Sequence, residues 1–363
     1  MGVEFIGYVA ARDSSETRPA TGPAVDVAHI EAAARAHEAG GFDRVLVAFH
    51  STSPDSLQIA QHITSVTSRL GVMIAHRPGF TQPTVAARQF ATLDQLSGGR
   101  VAIHVITGGD DVELAQDGSF LPKDDRYKRT DEYLDILRRV WTAEEPFDHT
   151  GRFYLFEKAF SAVKPVAKPH LPIYFGGASG PAIRVAAKHA DVYALWGETL
   201  AQTREIVSRV SGEAARYSRA PRFSLSLRPI LADTEEAAWR RAADILDRAR
   251  AFQDATGFRR TKEPVNAGST RLLEAAAQGP RLDKRLWTEL SALTGAKGNS
   301  TSLVGTPEQV ADAMLDYHDL GVSTFLIRGF DPIEDAVDYG ARLIPLVRRL
   351  VAERRSSTHE AAA

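Results

Sequence analysis

Short apolar runs alternate with longer amphipathic stretches along almost the whole chain. VEFIGYVA at 3–10 is followed by AHIEAAARAHEAG, whose apolar residues recur at helical spacing. RVLVAF at 44–49 precedes DSLQIAQHITSVT, and LGVMIA at 70–75 precedes PTVAARQFATLDQLSGG. RVAIHVI at 100–106 is a fourth strand, with DEYLDILRRVWTAEEP as its helix beyond a polar excursion. A β-like stretch around GRFYLFEKAFSAV leads to the strand PIYFGG and the helix PAIRVAAKHA. DVYALWGE and RFSLSLRPILAD read as strands six and seven, and VSTFLIRGF at 322–330 as the eighth.

Strict alternation of strand and helix implies a parallel sheet, and eight repeats predict an α/β fold of the (β/α)8 TIM-barrel type. An open doubly wound sheet is the runner-up, but no G-x-G-x-x-G follows the first strand. Residues 1–350 are expected to form one domain. Residues 234–300 are too long for a βα loop and read as a helical insertion between strands seven and eight. Within it, 267–300 carries the glycines of NAGST and TGAKGNSTS and is expected to be a mobile lid. Residues 351–363 read as a flexible polar tail.

Composition narrows the function. Hydrophobic residues make up 44% and charged residues 25%, which suits a globular protein with a substantial core. A formal net charge of -2 gives no general attraction to nucleic acid or an anionic membrane. With no cysteine there is no disulfide, Cys-ligated zinc, iron–sulfur cluster or thiol nucleophile. The N-terminus lacks a basic, then apolar, leader pattern, and a cytoplasmic location is the expectation. No H-x-x-x-H, H-E-x-x-H or G-x-S-x-G spacing occurs, so neither a metal site nor an ordinary serine hydrolase is expected.

In such a barrel, ligands sit at the C-terminal strand ends. Those positions hold His50, His76, Arg77, His104, Trp196, Arg228, Arg328 and Phe330, with Asp110, Asp111, Glu198 and Asp331 on the rim. The excess of cations and imidazoles suits a ligand carrying negative charge. A salt bridge from Arg228 to Asp331 or Glu198 is the structural alternative for that residue. YFGGASGPAIRVAAKHA is the sharpest local signal: a strand ends at Gly176 and Gly177, Ser179 follows, and Pro181 opens a helix. Glycines let backbone approach an anion, and the helix start offers free N–H groups, as a phosphate cradle requires. Asp124, Asp125 and Asp131 read as a solvated helix face, and SSETRP as a flexible polar loop.

Five segments, RPGFTQPTVAARQFATLDQLSGGR, VITGGDDVELAQDG, DDRYKRTDEYL, YFGGASGPAIRVAAKHADVYALWGE and SLVGTPEQVADA, resemble the luciferase-like flavin monooxygenases, specifically the alkanesulfonate monooxygenase group. The resemblance implies a TIM barrel using reduced FMN, delivered by a separate NAD(P)H-dependent flavin reductase, and O2 as co-substrate. It implies oxygenation of a small anionic organosulfur compound, with C–S cleavage to sulfite and an aldehyde, by a homodimer or homotetramer. Ala75, His104, Thr107, Tyr127, Gly177, Ala178 and Ser179 fall where that family holds flavin, His104 standing where asparagine is usual. The substrate side departs further. Ser53 replaces a cysteine, Arg228 lies two places from the usual arginine, Phe330 replaces a tyrosine, and Lys297 is nearest to the lid arginine. Trp196 is retained, and Arg328 is a further cation there. Arg228, Trp196, Ser53, Lys297 and Arg328 are therefore the candidate substrate residues, for a substrate diverged from simple alkanesulfonates. A deazaflavin (F420)-dependent dehydrogenase and a non-catalytic flavin-binding protein are the competing readings.

Overall fold

The structure, a computed structural model, describes residues 2–257, 264 and 266–362. Eight parallel strands are β1 (Glu4–Tyr8), β2 (Arg44–Val47), β3 (Gly71–His76), β4 (Val101–Val105), β5 (Ile173–Gly176), β6 (Val192–Trp196), β7 (Arg222–Leu227) and β8 (Val322–Ile327). They close into a barrel in the order β1-β8-β7-β6-β5-β4-β3-β2. The expected (β/α)8 barrel is what the chain forms. Every residue of β3 is buried, which is why LGVMIA reads as a continuous apolar run rather than an alternating one. Ala75 on β3 lies opposite His104 on β4, and His104 opposite Tyr174 on β5.

Local chemistry starts and stops the helices. Asp26, Asp55 and Ser179 each cap a helix by accepting from a backbone N–H three residues on. Thr306 and Gln309 form a reciprocal capping box at the start of the helix Pro307–Asp319. Asp94 is fully buried at the end of the helix Pro83–Ser97, and its carboxylate accepts from the N–H groups of Val101, Val166 and Ala167. That carboxylate fixes where β4 begins.

The chain packs as two compact units: 1–45, 194–208 and 222–363 in one, 46–193 and 209–221 in the other. The expected insertion belongs to the first unit, and part of it, 258–263 and 265, lies outside the described residues. β7 stops before Pro229, and Ile230–Leu231 instead pairs in parallel with Ser302–Gly305. The chain leaves the barrel sheet at this proline, which has no N–H for the ladder. The segment expected as a lid carries regular structure, with helices Ala267–Gln278 and Glu289–Thr294 around two short strands, and it buries Leu272, Trp287 and Leu290. The C-terminal helix runs Ile344–Ala362 and takes in the described part of the stretch expected as a flexible tail. Among the described residues, no helix is long and apolar enough to cross a membrane.

Candidate functional site

In the second unit, the C-terminal ends of β3, β4 and β5 bring together the residues read as cofactor ligands. His104 lies partly exposed on β4, and its Nδ1 is buried without a hydrogen-bond partner. Burial lowers its pKa to about 4, so the imidazole is neutral at ordinary pH and has a ring nitrogen to offer a ligand. Thr107 is buried just beyond β4, and its hydroxyl donates to Thr130 Oγ1 at 3.3 Å. Ala75 is buried, with its carbonyl taken by the Ser56 hydroxyl at 2.9 Å, so it contributes shape rather than polarity.

The turn after β5 is built for close backbone approach. Gly177 has φ 132, and a Cβ there would lie 2.9 Å from the Ala182 Cβ. Only glycine fits without strain. Its carbonyl accepts from the Tyr193 hydroxyl, which fixes the turn. Ser179 caps the helix Gly180–His189, with Pro181 in its first turn, and the Ser179 side chain also bonds the Tyr127 hydroxyl. Burial raises the Tyr127 pKa and the serine bond opposes that rise, so the phenol stays protonated. Gly177, Ala178 and Ser179 thus present a helix N-terminus, an open backbone and one hydroxyl, and Tyr127 adds a second. That donor set fits the phosphate of FMN.

In the first unit, the ends of β7 and β8 hold a charged group of another kind. Arg228 is 1% exposed and Glu16 6%. Arg228 Nη1 lies 2.8 Å from Glu16 Oε2, and Arg328 Nη2 lies 2.8 Å from Glu16 Oε1. One carboxylate therefore bridges two guanidinium groups. Arg228 also donates from Nη2 to the Gly329 carbonyl at 2.8 Å and stacks 3.6 Å above the Phe330 ring. Burial lowers its pKa to about 10, with Glu16 opposing the shift; the side chain remains charged. A cavity of about 20 Å³ beside this group is lined by Tyr8, Ser14, Ser15, Arg228, Arg328 and Tyr339, among others.

The sequence profile of luciferase-like monooxygenases matches residues 4–324. The chain belongs to the luciferase-like monooxygenase family. Its barrel is similar to that of EDTA monooxygenase from Chelativorans sp. BNC1, at 18% identity and a TM-score of 0.77 over 96% of this chain and 94% of that one. DmoA from Hyphomicrobium sulfonivorans gives 22% identity and 0.76 over 96% and 88%. A riboflavin lyase solved with modified FMN and riboflavin gives 19% identity and 0.76 over 96% and 92%.

Three further positions of the luciferase-like pattern are Trp196 and Lys297 in the first unit and Ser53 in the second. Trp196 ends β6 half-buried, and its ring packs so closely on Gly268 that a Cβ there would come within 2.8 Å. Lys297 is half-buried just beyond the helix Glu289–Thr294. Ser53 is exposed in the second unit, its N–H bonded to the His50 carbonyl at 2.9 Å. Arg77, His50 and His76, at or near strand ends, are already engaged elsewhere. Arg77 is buried between Phe49 and Phe80 and holds Glu113 at 2.9 Å, with His50 3.5 Å from the same carboxylate. His76 bonds the Tyr133 hydroxyl at 2.7 Å. Asp131, Asp135 and His189 form a potential ligand cluster, but Lys188 Nζ sits 2.8 and 2.7 Å from the two carboxylates and supplies the cation.

The acid that meets Arg228 is neither Asp331 nor Glu198. Glu198 is engaged by Arg271 through three contacts of 2.7–2.8 Å, and Asp331 faces Arg241 at 3.6 Å. Sequence reasoning missed Glu16 and Tyr339. Glu16 lies in SSETRP, whose polar composition resembles any surface loop, and Tyr339 is one more aromatic residue in a helical pattern.

Proposed function

We propose that this luciferase-like protein is a two-component flavin monooxygenase. In this reading it takes reduced FMN from a separate NAD(P)H-dependent flavin reductase and oxygenates a small anionic organosulfur compound. The product side is alkanesulfonate-type, with C–S cleavage to sulfite and an aldehyde, on a substrate diverged from simple alkanesulfonates. The observation that carries the anionic substrate is the Arg228 and Arg328 pair at the ends of β7 and β8. Guanidinium groups suit sulfonates and carboxylates because their paired N–H donors match two oxygens at once.

Reduced flavin supplies the electrons with which O2 is activated. The chain's own residues do the rest. Gly177, Ala178 and Ser179 hold the phosphate, and Tyr127 steadies Ser179 through its hydroxyl. His104, kept neutral by burial, offers a hydrogen bond without adding a charge to the site. Trp196, anchored against Gly268, forms an apolar wall that excludes water. Lys297 and Ser53 are the further substrate candidates, and 267–300 is the segment proposed to close over the ligands. We place the protein in the cytoplasm as a homodimer or homotetramer, with neither nucleic acid nor membrane as partner.

The test is turnover with a flavin reductase, NADH and O2 against a panel of sulfonates and sulfones, with sulfite and the carbonyl product both measured. Sulfite release in step with an aldehyde is expected. Oxygenated products without sulfite would remove the organosulfur reading and keep the monooxygenase. In an anaerobic titration, tight binding of reduced deazaflavin in place of reduced FMN would favour a dehydrogenase.

A further inference from the structure

Two guanidinium groups share one carboxylate in the first unit, the Arg228 side chain buried and the Arg328 side chain partly exposed. Arg228, at 1% exposure, keeps its Nε buried without a hydrogen-bond partner. The cavity it lines has room for about one water and borders Ser14, Ser15 and Arg328. The carboxylate comes from no strand or helix. Glu16 lies in the segment between β1 and the helix Val27–Ala39, and residues 19–25 of that segment are exposed.

The polar contacts of this segment run chiefly within it. Ser15 and Arg18 pair through their backbones, the Ser15 and Thr17 hydroxyls lie 2.8 Å apart, and the Asp26 N–H donates to the Ala11 carbonyl at 2.8 Å. Arg18 reaches Asp331 only at 4.0 Å. Glu16 is thus its strongest tie to β7 and β8, and each of its two oxygens takes one arginine. This is how a free carboxylate or sulfonate head would be gripped.

We propose that Glu16 is an internal stand-in for the oxyanion head of the substrate. A carboxylate or sulfonate arriving between Arg228 and Arg328 displaces Glu16, and residues 9–26 withdraw with it. The inference rests on the anionic-substrate reading above. A ligand shifts such an equilibrium only by its preference for one state, so the stand-in weakens binding of every anion by the same factor, and only heads that grip both arginines bind tightly enough to displace it.

The experiment measures acetate and methanesulfonate binding by calorimetry, and melting temperature with each salt, in the whole protein. Wild type, Glu16→Ala, and Glu16→Ala combined with Arg228→Met are compared. Glu16→Ala should melt lower than wild type, bind at least one of the two probes roughly tenfold or more tighter, and regain melting temperature in its presence. The double variant should lose that gain. Preference for acetate assigns a planar carboxylate head, and preference for methanesulfonate a tetrahedral one; either supports the exchange. Should Glu16→Ala not fold, Glu16→Gln keeps the volume, removes the charge and gives the same comparison. A folded variant whose anion affinity equals that of wild type overturns the proposal. The two readings separate in kinetics. If Arg228→Lys raises KM while Glu16 variants gain no anion affinity, the anionic substrate stands and the exchange falls. If the variants gain affinity while Arg228→Lys leaves KM unchanged, the anion site stands and the substrate reading falls.

Discussion

The second unit presents neutral hydrogen-bond donors at the turn after β5, whereas the first buries formal charge. Around Gly177 and Ser179 the donors are backbone N–H groups, hydroxyls and a helix start, and the imidazole of His104 is uncharged. Around Arg228 the attraction comes from two guanidinium groups, one of them almost wholly out of water. Partial charges spread over a backbone need no counterion in the empty state, because each N–H costs little to hold in place. A buried guanidinium is different, since desolvation makes it expensive without a partner. The chain meets that cost with Glu16. A turn of neutral donors therefore stands without a counterion, while a buried guanidinium needs a partner of its own.

The largest expected effect tests the charged side. Arg228→Met removes one partner of a buried ion pair, and a loss of about 3–5 kcal/mol in urea unfolding is expected. Turnover of anionic substrates should vanish while reduced-FMN affinity stays nearly unchanged. A variant as stable as wild type would show that Glu16 and Arg328 suffice as a pair.

Acid reveals the neutral side. Burial lowers the pKa values of His37, His76 and His104 from 6.5 to about 4. Between those values the unfolded chain binds protons that the native state refuses, so stability falls as pH drops from 6.5 towards 4 and is retained above 6.5. Each imidazole contributes on the order of 3 kcal/mol across that window. His104→Asn should flatten the acid limb of a melting-temperature profile by one such share. An unaltered slope would mean that His104 titrates normally.

Ser179→Ala removes the helix cap, the bond to Tyr127 and a phosphate donor together. Reduced FMN should bind about 1–3 kcal/mol more weakly, and riboflavin should be far less affected. Equal affinity of the wild type for FMN and riboflavin would sink the phosphate assignment. The smallest effect is expected from Tyr339→Phe. Its hydroxyl donates to the Pro229 carbonyl beside Arg228, and its loss should cost about 0.5–1.5 kcal/mol in chemical denaturation. A KM for anionic substrate that rises with kcat steady would show that this bond also aims Arg228.

The same contrast explains what the sequence reveals. The cradle is legible because its parts are adjacent: Gly177 supplies the backbone conformation, Ser179 the cap and Pro181 the first turn, all within five residues. The barrel is legible for a related reason, since runs such as LGVMIA become fully buried strands and GTPEQ becomes a capping box. Arg228 and Arg328 can be placed at strand ends. Their partner cannot, because Glu16 meets them across more than two hundred residues and no local pattern encodes a long-range ion pair. The local structure of 267–300 is less legible: its glycines hide the helices and short strands by which Trp287 and Leu290 join an apolar cluster with Ile245 and Val304.

Pro229 has a consequence for how the barrel tolerates change. The excursion between β7 and β8 begins at Ile230–Leu231 and returns at Ser302–Gly305, and these two pieces lie side by side in one small parallel pairing. Its two feet are thus clipped together at the base, whatever is threaded between them. Chain closed in this way can lengthen or be swapped for only a modest entropic penalty, since the cost of a loop grows slowly with its length. The arginines flank the clip rather than the excursion: Arg228 stands just before it, and Arg328 follows a whole helix and strand later. An excursion grafted from another barrel onto these feet would then leave Arg228 and Arg328 where they are.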